Sequence, residues 1–272
     1  MSDDQFSLGI LLDERAMEGW AAEAVDRAIR DANAAVELVV LSADRDYDSG
    51  RPLRSYASSA LGKGAWAPVV GWHRLVNTPE YLQKQSIDEL AWFEDAEVVR
   101  ASPEPADGIG KRLPGEAIER IESSNVDALF RRGFGILQGE ILSTPPHGVL
   151  SYHHGDIREY RGRPPGVWEF ANDERSAGIT LQRLTPTLDG GEIVVEKRVE
   201  LAEPPTWQAV ERKLFERSTD MLATACERLQ EPGFDPTTAD ELGPLYTCPG
   251  PLDTARIELK TARGMVASQF GW

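Results

Sequence analysis

The chain has 272 residues, with 29 basic and 45 acidic side chains and a formal net charge of −16. A composition of 41% hydrophobic and 27% charged residues can bury a core without staples, which excludes wholesale disorder. Two cysteines, Cys226 and Cys248, make neither a disulfide framework nor a four-ligand zinc site alone; with no secretory leader pattern and no membrane-length apolar run, a cytoplasmic protein is expected.

Six of the basic residues are lysines, so 23 are arginines. An acidic, lysine-poor surface fits adaptation to high salt, where screening removes self-repulsion, and equally an ordinary acidic protein of a GC-rich genome. Either way the charge counts against a nucleic-acid partner, whose phosphates would be repelled.

In chain order, Phe6–Leu12 (FSLGILL) predicts a buried strand, Met17–Ala34 a helix, and Val36–Leu41 a second strand. Strand, helix and strand with short joints point to a right-handed crossover in a parallel sheet. The first turn, LLDERAMEGW, has no glycine-rich phosphate loop, which argues against a dinucleotide site. Residues 43–71 are mixed, and helical potential returns over 72–92. Strands are expected at 97–101, 126–130 and 148–152, with a short helix over 114–122. A pair of strands, 178–184 and 192–201, flanks LTPTLDGG. Residues 207–229 predict one long amphipathic helix with Thr206 as its N-cap, and residues 232–272, rich in Pro and Gly, an irregular tail packed on the body. The expected fold is α/β, a Rossmann-like, mostly parallel twisted sheet flanked by helices. Residues 1–231 are expected to form the main domain and 232–272 a short irregular C-terminal tail.

Four histidines occur, and two of them, His153 and His154, are adjacent where the run 148–152 ends. In an open parallel sheet the carboxyl ends of the strands face the ligand crevice, so a histidine released there is placed for proton transfer. An ordinary loop or capping histidine reads the same way. Asp189, followed by Gly190 and Gly191, marks a turn; brought near His153, its carboxylate would fix the tautomer of the imidazole. His153, His154, Asp156 and Asp189 also admit a metal-cluster reading, but adjacent histidines rarely point at one ion.

The stretch 126–195 resembles the catalytic domain of the 10-formyltetrahydrofolate-dependent formyltransferases. That family's pattern is a strand, an aromatic-glycine turn, a strand ending Asn-x-His, then Ser-Leu-Leu-Pro, Arg-Gly, Pro, Gly-Val-Thr and Leu-Asp-x-Gly-x-Ile. This chain offers Gly133-Phe134-Gly135-Ile136-Leu137, Ser151-Tyr152-His153, Arg161-Gly162, Pro165, Gly178-Ile179-Thr180 and Leu188-Asp189-Gly190-Gly191-Glu192-Ile193 in that order. By resemblance, His153 and Asp189 are catalytic. Ser151 stands where the family has asparagine, and Gly155-Asp156-Ile157-Arg158 where it has Ser-Leu-Leu-Pro.

The resemblance implies attack of an acceptor amine on the formyl carbon of 10-formyltetrahydrofolate, the donor, with the asparagine amide and a protonated histidine stabilising the oxyanion. Ser151 offers a shorter donor, and loss of one such donor costs on the order of 10²–10³ in rate; His154 is then a candidate to compensate. The donor would lie along Phe134, Gly135, Ile136 and Leu137, with the main chain of Ile136 and Leu137 reading the pterin edge, though these residues also read as core.

The expected function is formyl transfer to the amino group of a small acceptor, a nucleotide-linked amino sugar being the candidate. A purine-pathway acceptor would need a glycine-rich phosphate loop, and tRNA a basic surface and a further C-terminal domain. Arg158, Arg161 and Gly162 are candidate substrate-binding residues, and Arg131 and Arg132 could add local positive charge for a phosphate; each arginine read singly also fits a solvated loop. Alternatives are a formyltetrahydrofolate hydrolase, a methionyl-tRNA formyltransferase-like enzyme and a non-catalytic folate-binding homologue. No metal and no membrane partner is expected. Residues 43–113 match the family poorly, and Trp66, Trp72, His73 and Trp92 either shape acceptor specificity or belong to the core.

Overall fold

The computed structural model describes residues 5–43, 64–76 and 78–270; most of the mixed stretch 43–71 lies outside the described residues. Seven strands form the central sheet: β1 (Phe6–Leu12), β2 (Ala34–Ser42), β3 (Glu97–Ala101), β4 (Ala128–Arg131), β5 (Val149–His153), β6 (Ser176–Arg183) and β7 (Glu192–Glu200). Their order is β7-β6-β5-β4-β1-β2-β3, parallel from β5 to β3, with β6 and β7 added antiparallel. The helices are α1 (Gly19–Ala32), α2 (Trp66–Val76), α3 (Gly115–Ser123), α4 (Val167–Ala171), α5 (Trp207–Ser218), α6 (Met221–Gln230) and α7 (Pro251–Phe270). This is the expected α/β, mostly parallel architecture.

β1 is apolar almost throughout because both of its faces are covered, the pattern of a central parallel strand. α1 turns Trp20, Ala21, Ala24, Val25, Ala28 and Ala32 to the sheet at helical spacing. It stops at Asn33, which takes a left-handed conformation and returns its N–H to the Ala28 carbonyl. Strand alternation then divides the interior. Phe130 and Leu150 join the larger core with Trp20, Phe215 and Leu222, while their neighbours Leu129 and Val149 join a second core with Leu11, Ile118 and Phe134.

Three expectations are corrected. The single helix over 207–229 is two, α5 and α6. The hydroxyls of Ser218 and Thr219 donate to the carbonyls of Phe215 and Glu216, competing with the helical ladder at the break. The stretch 72–92 is helical only to Val76; after Pro79 it runs through 3₁₀ turns and a short strand, Lys84–Ser86, paired with Ala16–Glu18. The C-terminal segment is not irregular. Leu245–Tyr246 pairs in parallel with Arg161–Gly162, and α7 buries Thr254, Ile257 and Thr261. Arg256 and Lys260 donate from α7 to the carbonyls of Ala171 and Phe170 at the C-terminal end of α4, where a cation meets the negative end of the helix dipole.

Thr206 caps α5 as expected, its Oγ1 accepting the Ala209 N–H at 3.1 Å. Thr206→Ala is expected to lower unfolding stability by about 1 kcal/mol, measured by urea denaturation, with an unchanged denaturant slope.

Candidate active site

β1 lies between β2 and β4, so the connections leave it in opposite directions and a crevice opens above its carboxyl end. Asp13 follows β1, Arg131 ends β4 and His153 ends β5. The Oδ1 of Asp13 accepts the Phe134 N–H at 2.7 Å and thereby fixes the turn after β4, where Phe134 and Gly135 take φ of 67° and 66°.

His153 is buried, and its Nε2 donates to the Tyr160 carbonyl at 2.7 Å. That bond orients the ring so that Nδ1 faces Asp189 Oδ1 at 4.0 Å. Gly155 makes it sterically feasible, because a Cβ there would sit 2.7 Å from His153 Nε2 and 2.8 Å from the Tyr160 oxygen. The other carboxylate oxygen, Asp189 Oδ2, accepts the Gly162 N–H at 3.0 Å. Gly162 is at φ 93° with Tyr246 O where a Cβ would stand, so glycine alone lets the C-terminal strand lie against this loop.

Arg161 donates from Nε to the Gly243 carbonyl at 2.7 Å and from Nη1 to the Leu188 carbonyl at 3.2 Å. Arg161 and Gly162, expected to bind substrate, are thus engaged in holding the Asp189 loop. Arg158 pairs with Glu196 at 2.7 Å and Asp156 at 3.5 Å, half exposed on the surface.

His153 and His154 are not brought together. Leu150, Tyr152 and His154 point to one face of β5, Ser151 and His153 to the other, as strand alternation requires. His154 is buried among Trp20, Tyr152 and Phe215, its Nε2 3.1 Å from Ser218 Oγ. Burial, then the charge of Arg132 and the neighbouring His153, hold its pKa well below the usual histidine range. Its position in the aromatic core, facing away from Asp189, replaces the expected compensating role with a packing one. Among the described residues no group of three or more His, Cys, Asp and Glu side chains could hold a metal ion.

Ser151 is 2% exposed and faces Arg131, which donates to its Oγ from Nε at 3.2 Å and from Nη2 at 3.0 Å. Nη1 of the same guanidinium donates to the Gly135 carbonyl. Burial, then Arg132, lower the Arg131 pKa from its ordinary value, while Asp189 and Asp13 act in the opposite direction. Along the expected donor segment, the Phe134 and Leu137 side chains belong to the second core and Gly135 is exposed. The Ile136 carbonyl already accepts the Lys111 N–H at 2.8 Å, and Lys111 O accepts the Gln138 N–H. This parallel bridge turns the main-chain groups of Leu137 to the other side, so the two residues are not equivalent as main-chain readers.

A cavity of about 1270 Å³ lies against α1, α2 and α5, lined among others by Trp20, Trp66, Tyr81, Arg132, Arg163 and Trp207. His153 and Asp189 are not in its wall; it reaches their end of the sheet through Arg132 and Arg163, the neighbours of Arg131 and Gly162. Four buried polar atoms of its lining residues, Trp20 Nε1, Trp66 Nε1, Arg132 Nε and Gln208 Oε1, have no hydrogen-bond partner among the described residues.

Sequence reasoning missed the Arg131–Ser151 contact, the Tyr160 carbonyl and Asp13. An arginine closing a buried strand at the crevice end was the available signal for the first.

The buried neutral His154 gives an acid limb to stability. Below about pH 6.5 the unfolded chain binds a proton there that the folded chain does not, so stability falls as pH falls, by up to about 1.4 kcal/mol per unit from this group. His154→Phe should flatten that dependence, seen by comparing urea unfolding at about pH 7.5 and 5.5 with the native protein.

The formyl transferase family model matches residues 98–226. A methionyl-tRNA formyltransferase of Thermotoga neapolitana is 33% identical over 116 residues, covering 42% of this chain and 37% of that protein, so the chain spans well under two thirds of the length of such relatives. The crystal structure of glycinamide ribonucleotide transformylase 1 from Symbiobacterium toebii superposes with a TM-score of 0.54 at 15% identity, over 87% of this chain and 95% of that one. An N-formyltransferase from Helicobacter canadensis, solved with folinic acid and dTDP-3-aminofucose, superposes with a TM-score of 0.51 at 11% identity, over 98% and 82%. These two share the fold. The matched segment holds Arg131, Ser151, His153 and Asp189, and over it the chain is similar to the formyl transferase family.

Proposed function

We propose that the chain transfers a formyl group from 10-formyltetrahydrofolate to the amino group of a small acceptor, an amino sugar. The observation that carries this reading is the His153–Asp189 pair, 4.0 Å apart at the carboxyl end of a parallel sheet, with His153 donating to the Tyr160 carbonyl and Asp189 accepting the Gly162 N–H. A fixed imidazole beside a carboxylate can take a proton from the attacking amine and return one to the departing nitrogen. The donor supplies an activated formyl carbon, and every remaining requirement is one of orientation, proton transfer and charge stabilisation.

For the donor, the turn Phe134–Leu137 offers an exposed Gly135, whose carbonyl meets Arg131, and a Leu137 main chain turned away from the Lys111 bridge. For the acceptor, the cavity next to Arg132 combines the side chains of Trp72 and Trp207 with those of Gln208, Glu211 and Arg212. Such a wall suits a ligand with one apolar face and several hydroxyls, which is the character of a sugar ring. Arg163, whose side chain makes no ion pair among the described residues, is available there for an attached phosphate. The net charge of −16 disfavours tRNA as the acceptor.

Incubating the chain with 10-formyltetrahydrofolate, with and without amino sugars and their nucleotide conjugates, tests the reading by mass spectrometry of the acceptor. An acceptor-dependent gain of one formyl group is expected. Formate release that no acceptor diverts would assign hydrolysis instead, and absence of both folate turnover and folate binding would refute the enzymatic reading. His153→Ala and Asp189→Ala should each reduce turnover by about 10²–10⁴-fold while leaving the far-UV circular dichroism intact.

A further inference from the structure

The contact between β4 and β5 at the site has an unused capacity. Ser151 Oγ accepts from both Nε and Nη2 of Arg131, at 3.2 and 3.0 Å. A hydroxyl has two acceptor lone pairs and one proton, so with both lone pairs filled Ser151 can act further only as a donor. Its O–H has no acceptor among the described residues, although the side chain is 2% exposed. Arg131 is equally incomplete. Of its five N–H groups, three serve Ser151 and Gly135, leaving one N–H on each terminal nitrogen without a partner among the described residues. Asp189 and Asp13 both act on it electrostatically.

Ser151 and His153 lie on the same face of β5 two residues apart, roughly 6.6 Å along the strand. An oxygen lying between them would meet a hydroxyl donor and a guanidinium on one side and an imidazole on the other.

We propose that Arg131 and Ser151 together form the anion-stabilising element of this site, the serine donating its O–H to the reacting oxygen and the arginine, as a positioning residue, holding that hydroxyl and placing a positive charge behind it. The inference rests on the formyl-transfer reading. As the amine lone pair forms the new C–N bond, the carbonyl π pair moves onto the formyl oxygen, and this is the charge that Ser151 and Arg131 meet. The pair then returns to re-form C=O as the bond to the donor nitrogen breaks, and the proton lost by the amine ends on that nitrogen. The sequence resemblance puts asparagine at position 151. A serine donates one hydrogen bond and carries no charge, and an arginine reaching across from β4 fixes that hydroxyl and supplies the charge.

The test measures kcat and KM for donor and acceptor in the full chain and in Ser151→Ala, Arg131→Ala, Arg131→Lys and the double alanine variant. Each single alanine variant should lose about 10²–10³-fold in kcat with KM changed by less than about threefold. The double variant should be no slower than the worse single one, because one unit is lost. Added guanidinium chloride at tens of millimolar should raise the kcat of Arg131→Ala in a saturable way that equal sodium chloride does not reproduce, and Arg131→Lys should retain part of the rate. Unchanged kcat in Ser151→Ala, a loss confined to KM, or additive losses in the double variant would overturn the inference while leaving formyl transfer intact. If Arg131→Ala loses its native circular dichroism, Ser151→Ala, which removes a single oxygen, decides the matter. A native chain with no formyl transfer overturns both readings.

Discussion

Side chains on a strand can leave only to alternate faces, and β5 shows how much follows from that one constraint. Leu150, Tyr152 and His154 build the aromatic core with Trp20 and Phe215, while Ser151 and His153 stand on the other face, toward Arg131 and Asp189. A register slip of one residue would exchange the two sets, turning His153 toward the aromatic core and Leu150 toward Arg131 and Asp189. Register is pinned on one side by parallel pairing with β4 and on the other by antiparallel pairing with β6, Thr180 opposite His153 and Gln182 opposite Ser151. The stability of the core and the geometry of the site therefore depend on the same alignment.

The second layer of support comes from backbone groups rather than from further side chains. His153 is oriented by the Tyr160 carbonyl and Asp189 by the Gly162 N–H. Backbone partners are fixed by the fold and carry little side-chain entropy, so they hold a site group at small cost. The C-terminal segment contributes here as well: Leu245–Tyr246 pairs with Arg161–Gly162, tying chain distant in sequence to the loop that carries Asp189. In a chain of net charge −16, Arg132 and Arg163 line the cavity beside this end of the sheet together with Glu18 and Glu211, and Arg132 pairs with Glu18 at 2.9 Å.

The fold was legible where periodicity was strong. FSLGILL, VELVVL and the alanine-rich stripe of α1 announce a buried parallel unit, and Thr206 announces the start of α5. It was illegible where long-range partners decide. Nothing local distinguishes α5 and α6 from one continuous helix except hydroxyls that bond backwards at the break, and the proline and glycine content of the last residues concealed the buried stripe of α7. Arg161 and Gly162 read as candidate ligand groups because sequence shows their chemistry and not that Leu188, Asp189 and Gly243 already occupy them.

The sequence by itself determined the α/β class, the order of the motifs and, through their spacing, the resemblance in which His153 and Asp189 stand out, because these are properties of local pattern. The tertiary structure alone decided which of two adjacent histidines faces Asp189 and which is core. It alone brought Arg131 from the end of β4 onto Ser151 in β5. Both outcomes are set by pairing between strands, and pairing between strands is fixed by the register of the whole sheet rather than by any residue's neighbours in the chain.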